Sequence, residues 1–245
     1  MNQLARIMTI VVVFFLQPEI SHGQMAKLPI DPDLKFGHTI GLNVHFNQGE
    51  TQEHLQTLLD LKIDWVRDTE LWRKIELKPG EYQLPDTLVE RLAFYKQHDI
   101  GICFGLWYSN AVAYPDDPYS PEAYGRYAAF MAEALRDNGV RYILEIWNEP
   151  HNFVLGPKFG GNWHGAPPSP WVDQYLKLVH AAVKAVKEKV PEAKLLINED
   201  VISSHYWFVE AGVPKDLNGV AIHPYSHKPT SGPETLVWVL SNRDR

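Results

Sequence analysis

Short apolar runs alternate with longer segments of helical spacing along most of this chain, and that alternation limits the folds available to it. Residues 39–46, 64–67, 100–107, 142–147, 194–198 and 220–223 read as six short strands. Between them, Leu55, Leu58 and Leu59 mark a helix over 50–62, and Leu84, Leu88, Leu92 and Tyr95 mark another over 84–98. Ser120-Pro121 supplies an N-cap and a first helical position. The helix it opens carries Tyr124, Tyr127, Ala128, Met131 and Leu135 on one face and stops at Gly139. Ser169-Pro170 opens a further helix that runs to Val190, and a short one follows over 203–211. Strict strand–helix alternation implies parallel strands joined by right-handed crossovers, in a barrel or in an open doubly wound sheet.

Two observations favour the barrel. No glycine-rich phosphate loop follows the first strand, as a nucleotide-binding sheet would require. Polar and aromatic residues also gather just past the strand ends: Asn43 and His45, Arg67, Trp107, Asn148 and Glu149, His223 and Tyr225. Barrel active sites are built from such positions on one face. The expected fold class is therefore α/β, a (β/α)8 TIM barrel. It is expected to be incomplete, with about six of the eight strands present. The segment 233–240 reads as the start of the sixth helix.

Arg6, the apolar run 7–16, Pro18 and the small residues Ser21 and Gly23 form the pattern of an export signal over 1–23. The apolar stretch is too short for a stable membrane anchor. Residues 24–245 are then the N-terminal part of the barrel domain, and the expected location is secreted or periplasmic. A formal net charge of -7 and the lack of a basic run argue against nucleic acid as a partner. The single cysteine, Cys103, lies in an apolar strand and is expected to behave as a small buried hydrophobe.

The chemistry concentrates at Trp147-Asn148-Glu149-Pro150, where an apolar strand delivers an Asn-Glu pair into a loop. A carboxylic acid placed there suits protonation of a leaving group, and the Asn148 amide suits a hydrogen bond to a sugar hydroxyl. Hydrolysis through a covalent intermediate would need a second carboxyl nearby as nucleophile. Glu145 shares strand parity with Trp147 and Glu149 and is expected to point inward as a buried structural carboxylate paired with Arg or Lys. Glu199 and Asp200 follow the fifth strand. Trp107, Tyr108, Phe159 and Trp163 offer aromatic faces for a pyranose ring. His223 and His227 flank Pro224 without a third ligand at a metal-binding spacing, so no metal and no cofactor are expected.

The residues 41–46, Trp65-Val66-Arg67, the Trp-Asn-Glu-Pro segment and 221–225 together resemble the retaining glycoside hydrolases of the clan A barrel superfamily. The likeness is greatest to family 39-type members, with family 5-like enzymes next. That resemblance implies a carbohydrate substrate, Glu149 as general acid/base, and Arg67 as support for the asparagine and the nucleophile. It places His223 and Tyr225 near the nucleophile and the sugar. It also puts the nucleophile on a seventh strand, beyond Arg245, so that this stretch alone is expected to be inactive. A non-catalytic carbohydrate-binding barrel or a truncated pseudoenzyme is the alternative. A metal-dependent hydrolase using His223 and His45 is a third reading.

Overall fold

In the computed structural model, residues 41–49 and 52–223 are described. The signal-like residues 1–23, Tyr225, His227 and the segment 233–240 lie outside them. The chain runs β1 (Gly41–Asn43), a 3-10 turn (Phe46–Gln48), α1 (Gln52–Asp60), β2 (Trp65–Leu71), α2 (Trp72–Ile75), β3 (Glu76–Lys78) and β4 (Glu81–Tyr82). It continues through α3 (Asp86–Gln97), β5 (Gly101–Trp107), α4 (Pro121–Asp137), β6 (Tyr142–Ile146), α5 (Leu155–Phe159), α6 (Pro170–Lys189), β7 (Leu195–Glu199), α7 (Ile202–Ala211) and β8 (Gly219–Ile222).

Six strands form one all-parallel sheet in the order β1-β2-β5-β6-β7-β8. The order never reverses, so each crossover carries the chain one step the same way round. A doubly wound sheet would contain a switch point. Monotonic order is the barrel arrangement, here as a curled arc of six strands.

The core between the sheet and its helices follows from the helical spacing. Leu88, Leu92 and Tyr95 of α3 are buried, as are Tyr124, Tyr127, Ala128, Met131 and Leu135 of α4. Ser120 caps α4 by accepting the Ala123 N–H, and Gly139, at φ +70°, follows its end. The helices α4 and α6 approach closely at Gly125, where an added Cβ would lie 2.8 Å from the Ala181 carbonyl oxygen.

Two tyrosines on these helices fasten the strand ends. The Tyr124 hydroxyl donates to Leu106 O (2.7 Å) and accepts from Trp147 N (3.2 Å). The Tyr175 hydroxyl donates to Ile146 O (2.9 Å) and accepts from Asn198 N (2.8 Å). Each serves backbone groups just where the parallel ladder ends, so the loops leave the sheet without orphaned polar groups.

Some elements depart from the sequence expectation. The second strand extends to Leu71, beyond the expected end at 67. Asp68 and Glu70 break its apolar pattern, yet both are buried because Arg91 of α3 pairs with them at 2.9 Å and 3.7 Å, and Tyr95 donates to Asp68. The hairpin β3–β4 and the short α2 were not expected. Their signal is Pro79-Gly80, with Gly80 at φ +78°, a turn type that places proline and then glycine at its two central positions. The helix α5 lies inside the segment 151–168, which reads as loop.

Candidate active site

The segment after β6 leaves the sheet through an unusual backbone. Trp147 (φ +66°) and Glu149 (φ +46°) both occupy the left-handed region, which residues with side chains rarely adopt. The turn at Trp147 breaks strand alternation. Its fully buried indole packs against Tyr124 (5.9 Å between ring centroids) and Tyr108 (5.6 Å), and its Nε1 donates to Phe153 O. Simple parity, which groups Trp147 with Glu145 and Glu149, therefore fails at this residue. The two glutamates meet elsewhere, on either side of His223.

Glu145 is fully buried and lies in the fork of Arg67: Nε donates to Oε2 at 2.5 Å and Nη2 to Oε1 at 3.1 Å. Burial alone would raise its pKa. The Arg67 charge and the hydrogen bond with His223 outweigh burial and hold it down to about 2. The Arg67 guanidinium also donates from Nη2 to Asn148 Oδ1 at 2.7 Å, and the Asn148 amide donates to the Tyr108 hydroxyl at 2.8 Å. Arg67 thus pairs with Glu145, while Asp68 pairs with Arg91, and Glu70 with Lys74 at 3.1 Å and Arg91 at 3.7 Å.

The crossing from β2 to β6 passes over Cys103 and Gly105 of β5. The register aligns Arg67 with Cys103, and Gly105 with Glu145. A Cβ at Gly105 would lie 2.3 Å from Trp107 Nε1, so the missing side chain is what lets that indole fold back over the strand. Trp107 is buried with the Arg67 guanidinium 4.7 Å from its ring centroid and Tyr108 stacked alongside. Among the described residues its Nε1 meets no acceptor. Cys103 is buried with its sulfur 3.9 Å from Glu145 Oε2; burial and that carboxylate push the thiol pKa well up.

His223, buried just after β8, bridges the two glutamates. Its Nδ1 lies 2.6 Å from Glu149 Oε1, and its Nε2 lies 3.4 Å from Glu145 Oε1. Burial lowers the imidazole pKa, but hydrogen bonds with Glu145 and Glu149 leave it raised. Glu149 itself is buried, and Asn152 Nδ2 reaches its second oxygen at 3.3 Å.

Beside this group, His151 Nδ1 lies 2.7 Å from Glu199 Oε1 and 3.0 Å from Asp200 Oδ1. These three residues bring potential metal-ligand atoms within 4.8 Å of one another, and the imidazole already closes the group by ion pairing. His223 and His45 are not members of it. His45 Nε2 instead lies 3.3 Å from Asn43 Nδ2.

The structure therefore brings Glu149, Asn148, Arg67, Trp107 and His223 together at one end of the sheet, with Tyr225 outside the described residues. Sequence reasoning missed Asn198. Its Oδ1 accepts the Glu149 backbone N–H at 2.6 Å, and its Nδ2 donates to Glu145 and lies 2.9 Å from His223 Nε2. The available signal was its place at the end of an apolar strand, which Asn148 and His223 share. Trp163 is 65 % exposed and Phe159 lies against Tyr119, so neither joins this cluster.

No family model and no curated protein sequence matches the chain. Among solved structures, it is similar to a family 39 glycoside hydrolase from the gut symbiont Bacteroides cellulosilyticus WH2. That match has 20 % identity and a TM-score of 0.58, and it covers 79 % of this chain and 41 % of that one. An endoglucanase from Pseudomonas stutzeri matches at 18 % identity and TM-score 0.47, over 67 % of this chain and 48 % of that one. A β-glucosidase from Thermotoga maritima matches at 19 % identity and TM-score 0.46, over 60 % and 37 %. Only the first match is close enough in shape to carry weight, and this chain spans less than half of that protein's length. Over its six parallel strands the chain shares the barrel fold of that glycoside hydrolase.

Proposed function

We propose that this chain is part of a retaining glycosidase in which Glu149 is the general acid/base. The observation that carries the reading is a buried glutamate past the end of β6, 2.6 Å from His223, beside an Asn148 fixed by Arg67 and Tyr108. In the first step Glu149 protonates the glycosidic oxygen as the bond to the anomeric carbon breaks. In the second, as carboxylate, it takes a proton from the water that releases the sugar. With Oε1 engaged by His223, Oε2 is the oxygen that carries the proton. Asn148 is poised to bind a hydroxyl next to the reacting carbon, and the unpartnered Trp107 N–H is a donor for a sugar or a carboxylate.

Glu145 is excluded as the nucleophile. It is fully buried, and Arg67, Asn198 and His223 surround its oxygens, leaving no approach for an anomeric carbon. The nucleophile is assigned to a later barrel strand, outside the described residues. The Asn148 amide and the Trp107 N–H could equally hold a sugar without turnover, which gives a second reading, a non-catalytic carbohydrate-binding barrel. We also infer export through residues 1–23. Among the described residues no helix is long and apolar enough to cross a membrane.

Proton NMR of the first-formed product from a small glycoside tests the reading. Retention of the anomeric configuration supports it, and inversion rejects it. Saturable sugar binding without any product would favour the binding barrel.

A further inference from the structure

The turn that carries Glu149 is tied to the neighbouring strand by two consecutive side chains. Asn198 Oδ1 accepts the backbone N–H of Glu149, and Glu199 Oε2 accepts that of His151 at 3.0 Å. The other Glu199 oxygen lies 2.7 Å from His151 Nδ1 and also accepts the Asp200 N–H at 2.8 Å. Glu199 is fully buried, and its contacts run to residue 151 and to the start of its own loop. A carboxylate buried only to fill space would be less favourable than an apolar side chain of the same size. This one reaches across to a turn whose key residue, Glu149 at φ +46°, keeps its backbone conformation only if its surroundings enforce it.

We propose that Glu199 is a positioning residue for Glu149, latching the turn through both the backbone N–H and the imidazole of His151. The proposal rests on the reading of Glu149 as the acid/base. Asn198 sets the height of residue 149 and Glu199 sets that of residue 151, so the carboxyl between them is aimed at His223. Asp200 lies on the same imidazole nitrogen and keeps the ring turned toward β7. Burial raises the Glu199 pKa to about 7 against the opposing bonds from His151, which fits a carboxylate that needs its partner to stay charged.

The test needs no turnover. In the isotopically labelled chain, amide hydrogen exchange is followed at residues 149, 151 and 152, and the Glu149 side-chain carbon is titrated by NMR. In Glu199→Gln, exchange at these amides should rise roughly tenfold, the scale of one lost buried hydrogen bond. Amides of β5 should be unchanged, and the Glu149 titration midpoint should move. Glu199→Asp, which keeps the charge, should restore part of both effects. His151→Gln removes the imidazole half of the latch and keeps the backbone bond, so it should give a smaller rise in exchange and a shift of the Glu149 midpoint if Glu199→Gln does not fold. Unchanged exchange overturns the latch. Faster exchange with an unmoved Glu149 midpoint overturns the positioning role. Failure of the acid/base reading is seen separately, as a Glu149→Gln variant with full turnover.

Discussion

Glu149 Oε1 and Glu145 Oε1 stand on opposite sides of one imidazole, 2.6 Å and 3.4 Å from the two ring nitrogens of His223. The two carboxyls have different neighbours. Glu145 has Arg67 and is held ionised, whereas Glu149 lies at the mouth of the strand with Asn152 and His223. Glu145 is thus a fixed negative charge beneath the site.

Arg67→Met should destabilise the fold strongly, because it leaves the Glu145 carboxylate buried without its main partner. The expected loss is about 3–5 kcal/mol, read by urea denaturation. Arg67→Met combined with Glu145→Leu should recover much of that stability while abolishing any sugar-dependent property. A single variant as stable as the parent would contradict the ion pair.

Acid should remove the contribution of Glu145. Its folded-state pKa, about 2, lies below the ordinary value of 4.5, so its stabilisation is present above 4.5 and is lost as pH falls toward 2. The His151 cluster behaves in the opposite sense. Burial lowers the His151 pKa, but hydrogen bonds with Asp200 and Glu199 raise it from 6.5 to about 10. Its stabilisation is complete below 6.5 and declines as pH rises toward 10. Glu199, raised from 4.5 to about 7 by burial, adds a decline from 4.5 to 7. Thermal unfolding between pH 6 and 10 should therefore show a falling Tm that His151→Gln flattens.

Gly105→Ala should cost about 1–3 kcal/mol by overpacking, since the added methyl meets the Trp107 indole at 2.3 Å and that ring has Arg67 and Tyr108 against it. Tryptophan fluorescence and denaturant melts would register both the displaced ring and the loss.

Tyr175→Phe should cost about 1–3 kcal/mol, because it strands Ile146 O and Asn198 N at the strand ends without a partner. Hydrogen exchange at Asn198 should speed up with it, and an unchanged rate there would remove Tyr175 from the frame of the site.

The sheet order and much of the site could be read from the sequence because they depend on spacing. Glu149 and His223 each follow an apolar strand and Arg67 lies within β2, where the parallel register carries its side chain to Glu145. What could not be read depends on contacts across the fold. The second strand continues through Asp68 and Glu70 because Arg91 of α3 and Lys74 of α2 neutralise them. Trp147 departs from strand parity because of its left-handed backbone, which packs its buried indole against Tyr108 and Tyr124. Asn198 matters through three partners on β6, its loop and β8, and its own strand gives no sign of them.

The most direct test of the central claim is the leaving-group dependence of Glu149→Gln in the complete protein. With glycosides whose leaving groups need protonation, turnover should fall by about 10²–10⁴-fold. With activated aryl glycosides the loss should be small in the first step, and azide should restore the second. Equal turnover of both substrate classes by the variant and the parent would contradict Glu149 as the acid/base.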